Sequence, residues 1–199
     1  TRRRLLEAAE VCLVERGHAG TTTTEVVARA GLSQGALFRH FPTKASLLAA
    51  TAAHLFEGLV ASYRVDLQAL TGDGRQPAER VALAFELLWK IFEGPRLVAA
   101  FELYMGARTD AALSAALTPV VQAHRAALRR HARALFPEFA RLGSHFDDLI
   151  DLLMCAMEGI VVERYGAPGS AEGALRALRG LALAQLTALP TALDRGEGQ

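Results

Sequence analysis

The chain has 199 residues, 51% of them hydrophobic and 22% charged, with a formal net charge of +1. That length holds a small domain plus a larger one, or a single helical body of ordinary size. Its two cysteines, Cys12 and Cys155, stand far apart, which excludes a disulfide framework and a cysteine metal cluster.

Each cysteine lies in an apolar helical pattern, so both are expected to be buried free thiols. A reducing, cytoplasmic setting follows as the default. A redox switch needs an exposed, electropositive thiol, which neither position suggests. No apolar run reaches membrane-spanning length without charge, and Leu181 to Leu189 is too short to span, so no membrane partner is expected. No apolar stretch follows the opening arginines, so no secretory signal is read, and the start on Thr rather than Met points to residues missing ahead of it. Charge is unevenly spread. Residues 1–45 carry seven Lys or Arg against four Asp or Glu, and residues 46–199 carry fifteen against seventeen. The run Arg2, Arg3, Arg4 reads equally as a tracker of a phosphate backbone or as a solvated helix start.

In chain order, residues 2–17 place Leu5, Ala9, Cys12 and Leu13 at helical spacing. Thr22 and Glu25 then stand at the spacing of a capping box, in which Thr accepts a backbone N–H and Glu reaches back to the cap residue. A helix therefore starts near Thr23. Val26, Val27 and Ala30 form its apolar face, and Gly31 ends it in the left-handed conformation. Ser33 caps a second helix over about Gln34 to Phe41, with Leu37 and Phe41 on the buried side and Gln34, Ala36, Arg39 and His40 mostly elsewhere. Pro42 stops it, and Thr43 is placed to cap the next. Two helices joined by a three-residue turn containing Gly fit the helix-turn-helix, whose second helix reads base edges in the major groove. An ordinary helical corner has the same local pattern.

Beyond this head, helices are expected at about 44–70, 77–93, 95–108 and 110–135, then near 145–165 and 171–189. The breaks are a flexible loop at Thr71 to Gln76, Gly94–Pro95, a loop at about Phe136 to Ser144, and YGAPGS at Tyr165 to Ser170. Pro119 lies inside or at the start of a helix. Leu149, Ile150, Leu153, Met157, Ile160 and Val161 make one continuous apolar face. Gly159 beside them costs helix propensity, which close approach of a partner helix would compensate. Leu181 to Leu189 fits a helix buried on most sides. No strand-like alternation or repeat is visible. The expected fold is all-α, with a small front domain and a larger helical body.

Three pieces in order resemble the N-terminal domain of the TetR family of bacterial transcriptional regulators: RRRLLEAAEVCLVERG at Arg2 to Gly17, then Thr22 to Gly31, then LSQGALFRHFPTKASLL at Leu32 to Leu48. The resemblance is specific over about residues 2–48 and one of helical pattern over the rest. It implies a helix-turn-helix DNA-binding domain at 1–45 and a helical effector-binding and dimerisation domain at 46–199. It also implies a homodimer through the helices near 145–165 and 171–189, a double-stranded DNA operator as partner, and a small, mostly apolar effector. Carried over by position, it makes Gln34, Gly35 and Ala36 base-facing and Thr23, Phe38, His40 and Lys44 backbone-facing, beside the cap Ser33. Arg39 is placed to reach a base or a phosphate.

Elementary chemistry agrees with several of these roles. Gln pairs in two places with adenine, Gly admits close approach, and Ala touches a thymine methyl. Lys44 in the first turn of a helix opposes the macrodipole, a cost that a phosphate would reverse. There are departures. Phe38 stands where the family usually has Tyr, which removes a hydroxyl, and Gln34 replaces the common Lys, which exchanges charge for direction. His18 occupies the usual aromatic position after Gly17 and reads as a packing substitute.

In the body, Phe85, Trp89, Phe92, Phe101 and Tyr104, with Met105 and Arg108 at helical spacing, either line an apolar effector cavity or pack a core. Glu102, His124 and Glu158 are polar groups on apolar segments that either orient a ligand or are satisfied locally. His124 and His131 share a helix face without a third ligand, so no metal site, cofactor or enzyme centre is read. The reading is a ligand-responsive regulator, a repressor by resemblance. The alternative is a helical ligand carrier or helical enzyme without DNA binding.

Overall fold

The computed structural model describes residues 1–70, 75–140 and 142–193, with the side chains of 69, 70, 140 and 186–193 left aside. The described residues form helices and no strand: α1 (Arg2–Gly20), α2 (Thr23–Ala30), α3 (Gln34–His40), α4 (Lys44–Leu70), α5 (Pro77–Phe92), α6 (Pro95–Ala107), α7 (Ala111–Leu135), α8 (Pro137–Ala140), α9 (Ser144–Glu163) and α10 (Pro168–Leu193). They group into two compact units, one of residues 1–60 and 93–126, the other of 61–92 and 127–199.

In the first unit, α1 packs on α2, α3 and α6. The core of the head joins Leu5, Ala9 and Cys12 of α1, Val26 and Val27 of α2, Leu37 and Phe41 at α3, and Leu47 of α4. α4 is long and apolar enough to cross a membrane by length and composition, over Lys44–Gln68 with Glu57 inside it. Leu47, Leu48, Ala52, Leu55 and Phe56 are buried within this unit, which accounts for the apolarity as that of a core helix. α1 leaves helical geometry at Gly17 (φ 67°), the expected end of the helix, and takes one further turn to Gly20. The buried Thr21 hydroxyl donates to Gly17 O at 2.8 Å and ties the kink.

In the second unit, α5, α9 and α10 pack together. Its core is built from Leu67, Val81, Ala84, Leu87, Phe136, Phe139 and Phe146. Arg133 pairs with Asp147 at 2.8 Å and Arg129 with Asp151, which fastens one side of α9 to α7. The Arg133 guanidinium holds the Asp147 carboxyl below the usual carboxylate range.

Several expectations need correction. The stretch 136–144 is not all loop, because Phe136 and Phe139 must be buried and one turn, α8, brings both inward. α10 begins at Pro168 rather than 171, since a proline in the first turn gives up an N–H that has no helical partner there. Pro119 lies inside α7, one of the two places expected of it. Cys155 is exposed, not buried, because it shares the outward side of α9 with Leu152, Gly159 and Val162. Leu181 is 62% exposed, so α10 is not covered on most sides by its own chain. The loop expected at Thr71 to Gln76 lies outside the described residues but for its last two, as do the side chains from Leu186 to Leu189.

Candidate nucleic-acid interface

The turn between α2 and α3 forms as its caps require. Thr22 Oγ1 accepts from Glu25 N at 3.2 Å, and Gly31 ends α2 in the left-handed region at φ 60°, ψ 43°. Ser33 Oγ accepts from Ala36 N at 3.2 Å and starts α3. The reciprocal half of the expected capping box is absent at Thr22, because Glu25 is drawn instead to Arg16 at 2.9 Å. The reciprocal pair occurs at the start of α4: Ser46 N donates to Thr43 Oγ1 at 3.0 Å and Thr43 N to Ser46 Oγ at 3.1 Å.

The arginines at the front are occupied by the fold. Arg2 lies over the Phe41 ring, 5.4 Å from its centroid. Arg3 pairs with Glu7 at 3.3 Å. Arg4 donates to Ala30 O at 2.6 Å, satisfying a carbonyl at the end of α2. Arg29 is held by Glu15 and lies beside the buried Cys12, whose thiol burial pushes up and Arg29 draws down. Arg2, Arg3 and Arg4 all stay exposed to solvent with these contacts made.

α3 turns the other way. Leu37 is buried, Gln34 and Ala36 are half-buried, and Gly35, Phe38, Arg39 and His40 face outward with Ser33. Phe38 is 45% exposed, so its ring is open to contact from outside the chain. A Cβ at Gly35 would meet nothing nearer than Ser33 Oγ at 3.9 Å, so packing within the chain does not call for glycine there. Thr23 is half-buried at the start of α2, and Lys44 is exposed at the start of α4. Because Ser46 N is capped, the backbone N–H groups beside Lys44 that remain for an outside acceptor are those of Lys44 and Ala45.

One residue of this region, Thr24, was missed in the sequence, and Glu102, read there as orienting a ligand or satisfied locally, meets a partner far along the chain. Thr24 Oγ1 accepts from Gln34 Nε2 at 3.3 Å, while Gln34 Oε1 is buried without a partner. The Thr22–Thr23–Thr24 run hides this one, since all three read as cap material. Glu102 of α6 accepts the N–H of His18 at 2.6 Å, and a Cβ at Gly17 would fall 2.5 Å from its Oε2. The His18 ring packs on Gly106, where a Cβ would lie 2.7 Å from it. Arg96 of α6 also pairs with Glu10 of α1 at 2.6 Å. No local pattern announces contacts over 84 residues.

The candidate effector residues fall in both units. Phe101 and Tyr104 tilt against each other at 5.9 Å in the first, with Met105 and Arg108 exposed. His124 stacks on Phe56 at 4.1 Å, and burial with Arg125 nearby lowers its pKa to about 4. Phe85 and Phe92 are buried in the second unit, where Glu158 is half-buried and Arg164 lies 5.8 Å from the Trp89 centroid.

The family described as "Bacterial regulatory proteins, tetR family" matches residues 5–51. An HTH-type transcriptional regulator of Mycobacterium tuberculosis is 32% identical over 168 residues, 81% of this chain and 80% of its own. Among solved structures, a transcriptional regulator from Rhodococcus sp. Rha1 superposes with TM-score 0.68 at 23% identity, covering 92% of this chain and 96% of that one. The multidrug binding protein EbrR, complexed with imidazole, gives TM-score 0.63 at 23% identity over 90% and 93%.

Proposed function

Because the chain belongs to the TetR family of bacterial transcriptional regulators, with a DNA-binding helix-turn-helix, we propose that it acts as a dimeric repressor in the cytoplasm. Each copy places α3 in a major groove, with Gln34, Gly35 and Ala36 toward the bases and Thr23, Phe38, His40 and Lys44 toward the backbone. A small, mostly apolar effector releases it. The observation that carries the DNA reading is the outward face of α3: it holds a glycine that packing does not require, a half-exposed phenylalanine, and Arg39 and His40. Such a face suits a close, polar, anionic partner.

Dimerisation is supported by α9 and α10. Leu152, Cys155, Gly159 and Val162 recur at three and four spacing on the exposed side of α9, and a Cβ at Gly159 would meet nothing within 4 Å. A second copy of the same stripe fits there by two-fold symmetry, and a two-fold operator matches it. Effector response is proposed to enter through the helical body beyond about residue 45, among the aromatic residues of α5 or of α6. The clasp of Glu102 and Arg96 on α1 joins α6 to the head, beside the lever α4, which starts at Lys44. A coupling of roughly 1–3 kcal/mol changes operator affinity about 5- to 150-fold.

Selection from a random duplex pool by the purified chain, with and without cell metabolite extract, tests the proposal. The expected result is an enriched two-fold sequence whose retention falls when extract is added. A pool with no enriched sequence at moderate salt would overturn it.

A further inference from the structure

We propose that Thr24 is a positioning residue for base reading: its hydroxyl holds the Gln34 amide at the side of α3 and restricts it to adenine. The inference rests on the reading of α3 as the base-reading helix.

Thr24 lies in the first turn of α2 and is exposed, and Gln34 opens α3 ten residues later. Gln34 Nε2 donates to Thr24 Oγ1 at 3.3 Å, and Gln34 Oε1 is shut from water with no hydrogen-bond partner. Turning the amide over lets the Thr24 hydroxyl donate to Oε1 but leaves Nε2 in the unpaired place. Either way one end of the amide is orphaned. A buried polar group without a partner costs more than one long, exposed hydrogen bond returns, so the arrangement favours an outside partner. That partner must offer a donor and an acceptor side by side. The major-groove edge of adenine does, with N7 and N6–H₂, whereas guanine offers two acceptors, and cytosine and thymine each offer one polar group.

Thr24 does not need to touch the base for this. By engaging one end of a side chain with three rotatable bonds, it limits the directions in which the amide leaves α3. Without the hydroxyl the amide samples more rotamers and accepts other edges, so discrimination falls further than affinity.

The test uses the full chain and a random duplex pool with four variants: Thr24→Val, which keeps the shape and loses the hydroxyl, Thr24→Ser, Gln34→Ala, and the double variant Thr24→Val with Gln34→Ala. Melting curves check that each folds. The expected result is an adenine preference in each half-site that Thr24→Val lowers by about fivefold or more and Thr24→Ser restores. Affinity for the best site should fall less, the salt slope should stay constant, and Thr24→Val should add nothing once Gln34 is Ala. An unchanged preference in Thr24→Val, or a uniform loss on all sequences with a flatter salt slope, overturns the role of Thr24 while leaving α3 as the reader. If Gln34→Ala alters no position, the base-reading assignment itself falls, and the inference with it.

Discussion

The outward faces of α3 and α9 are both exposed, yet they differ in what they present. Around α3 the fold has already used the charges at hand: Arg2, Arg3, Arg4, Arg16 and Arg29 each have a partner in the head. What remains on α3 is a polar, partly basic set with a glycine among it. On α9 the charges are used on the inner side, where Asp147 and Asp151 meet Arg133 and Arg129, and the outer side keeps Leu152, Cys155, Gly159 and Val162. An exposed polar surface and an exposed apolar one call for different partners, because water satisfies the first at little cost and the second only poorly.

The largest test breaks the apolar side. Leu152→Glu places a charge on the α9 stripe, and an uncompensated charge in an interface costs about 2–5 kcal/mol. The expected outcome is a monomer by light scattering at concentrations where the parent chain is a dimer, with operator affinity down by more than about tenfold. Persistence of the dimer would move the interface elsewhere.

An acid titration sharpens the comparison from a group that lies on neither surface. His124, stacked on Phe56, takes up its proton only near pH 4 in the fold, whereas the unfolded chain protonates it near its ordinary value. Between about pH 6.5 and 4 the unfolded state therefore binds more protons, so stability is full above this window and falls as pH drops through it. The contribution is up to about 3 kcal/mol. His124→Gln should flatten that part of the stability curve in denaturant unfolding. A curve unchanged by the substitution would count against a sealed His124.

Gly35→Ala probes the polar side. The free protein should gain about 0.5–1 kcal/mol in stability, since glycine inside a helix is costly and the added Cβ meets only Ser33 Oγ. Operator binding should weaken about tenfold at the same time. Opposite signs in the melt and the binding assay are the signature of a close approach from outside. If binding is unaffected, that approach does not occur at Gly35.

The smallest effect separates paired from unpaired cations. Lys44→Ala should lower affinity for all duplexes and reduce the salt slope by about 1. Arg4→Ala should leave the slope unchanged, because the Arg4 guanidinium is held at the Ala30 carbonyl. Equal slopes for both variants would remove the distinction.

The reading of caps and breaks from sequence held at Thr22, Gly31, Ser33 and Thr43, where a side chain or a glycine acts on backbone within a few residues. It failed where one group had two suitors. Glu25 has the spacing to bond Thr22 but a nearer cation in Arg16. Cys155 failed for another reason. A helix with apolar residues on two sides offers no rule for which side its own chain covers, and here α10 and α5 pack on α9 while Cys155 stays exposed.

By itself, then, the sequence determined that the chain is helical, where α2 and α3 start and stop, and which short helix carries Gln34, Gly35 and Ala36, since periodicity and capping act over distances shorter than a helix. Only the tertiary structure decided that α6 clasps the Gly17 kink through Glu102, that Arg2 lies over Phe41, and that Gln34 rests against Thr24. Those outcomes depend on which distant groups compete for the same partner, and that competition is resolved by position in space rather than by spacing along the chain.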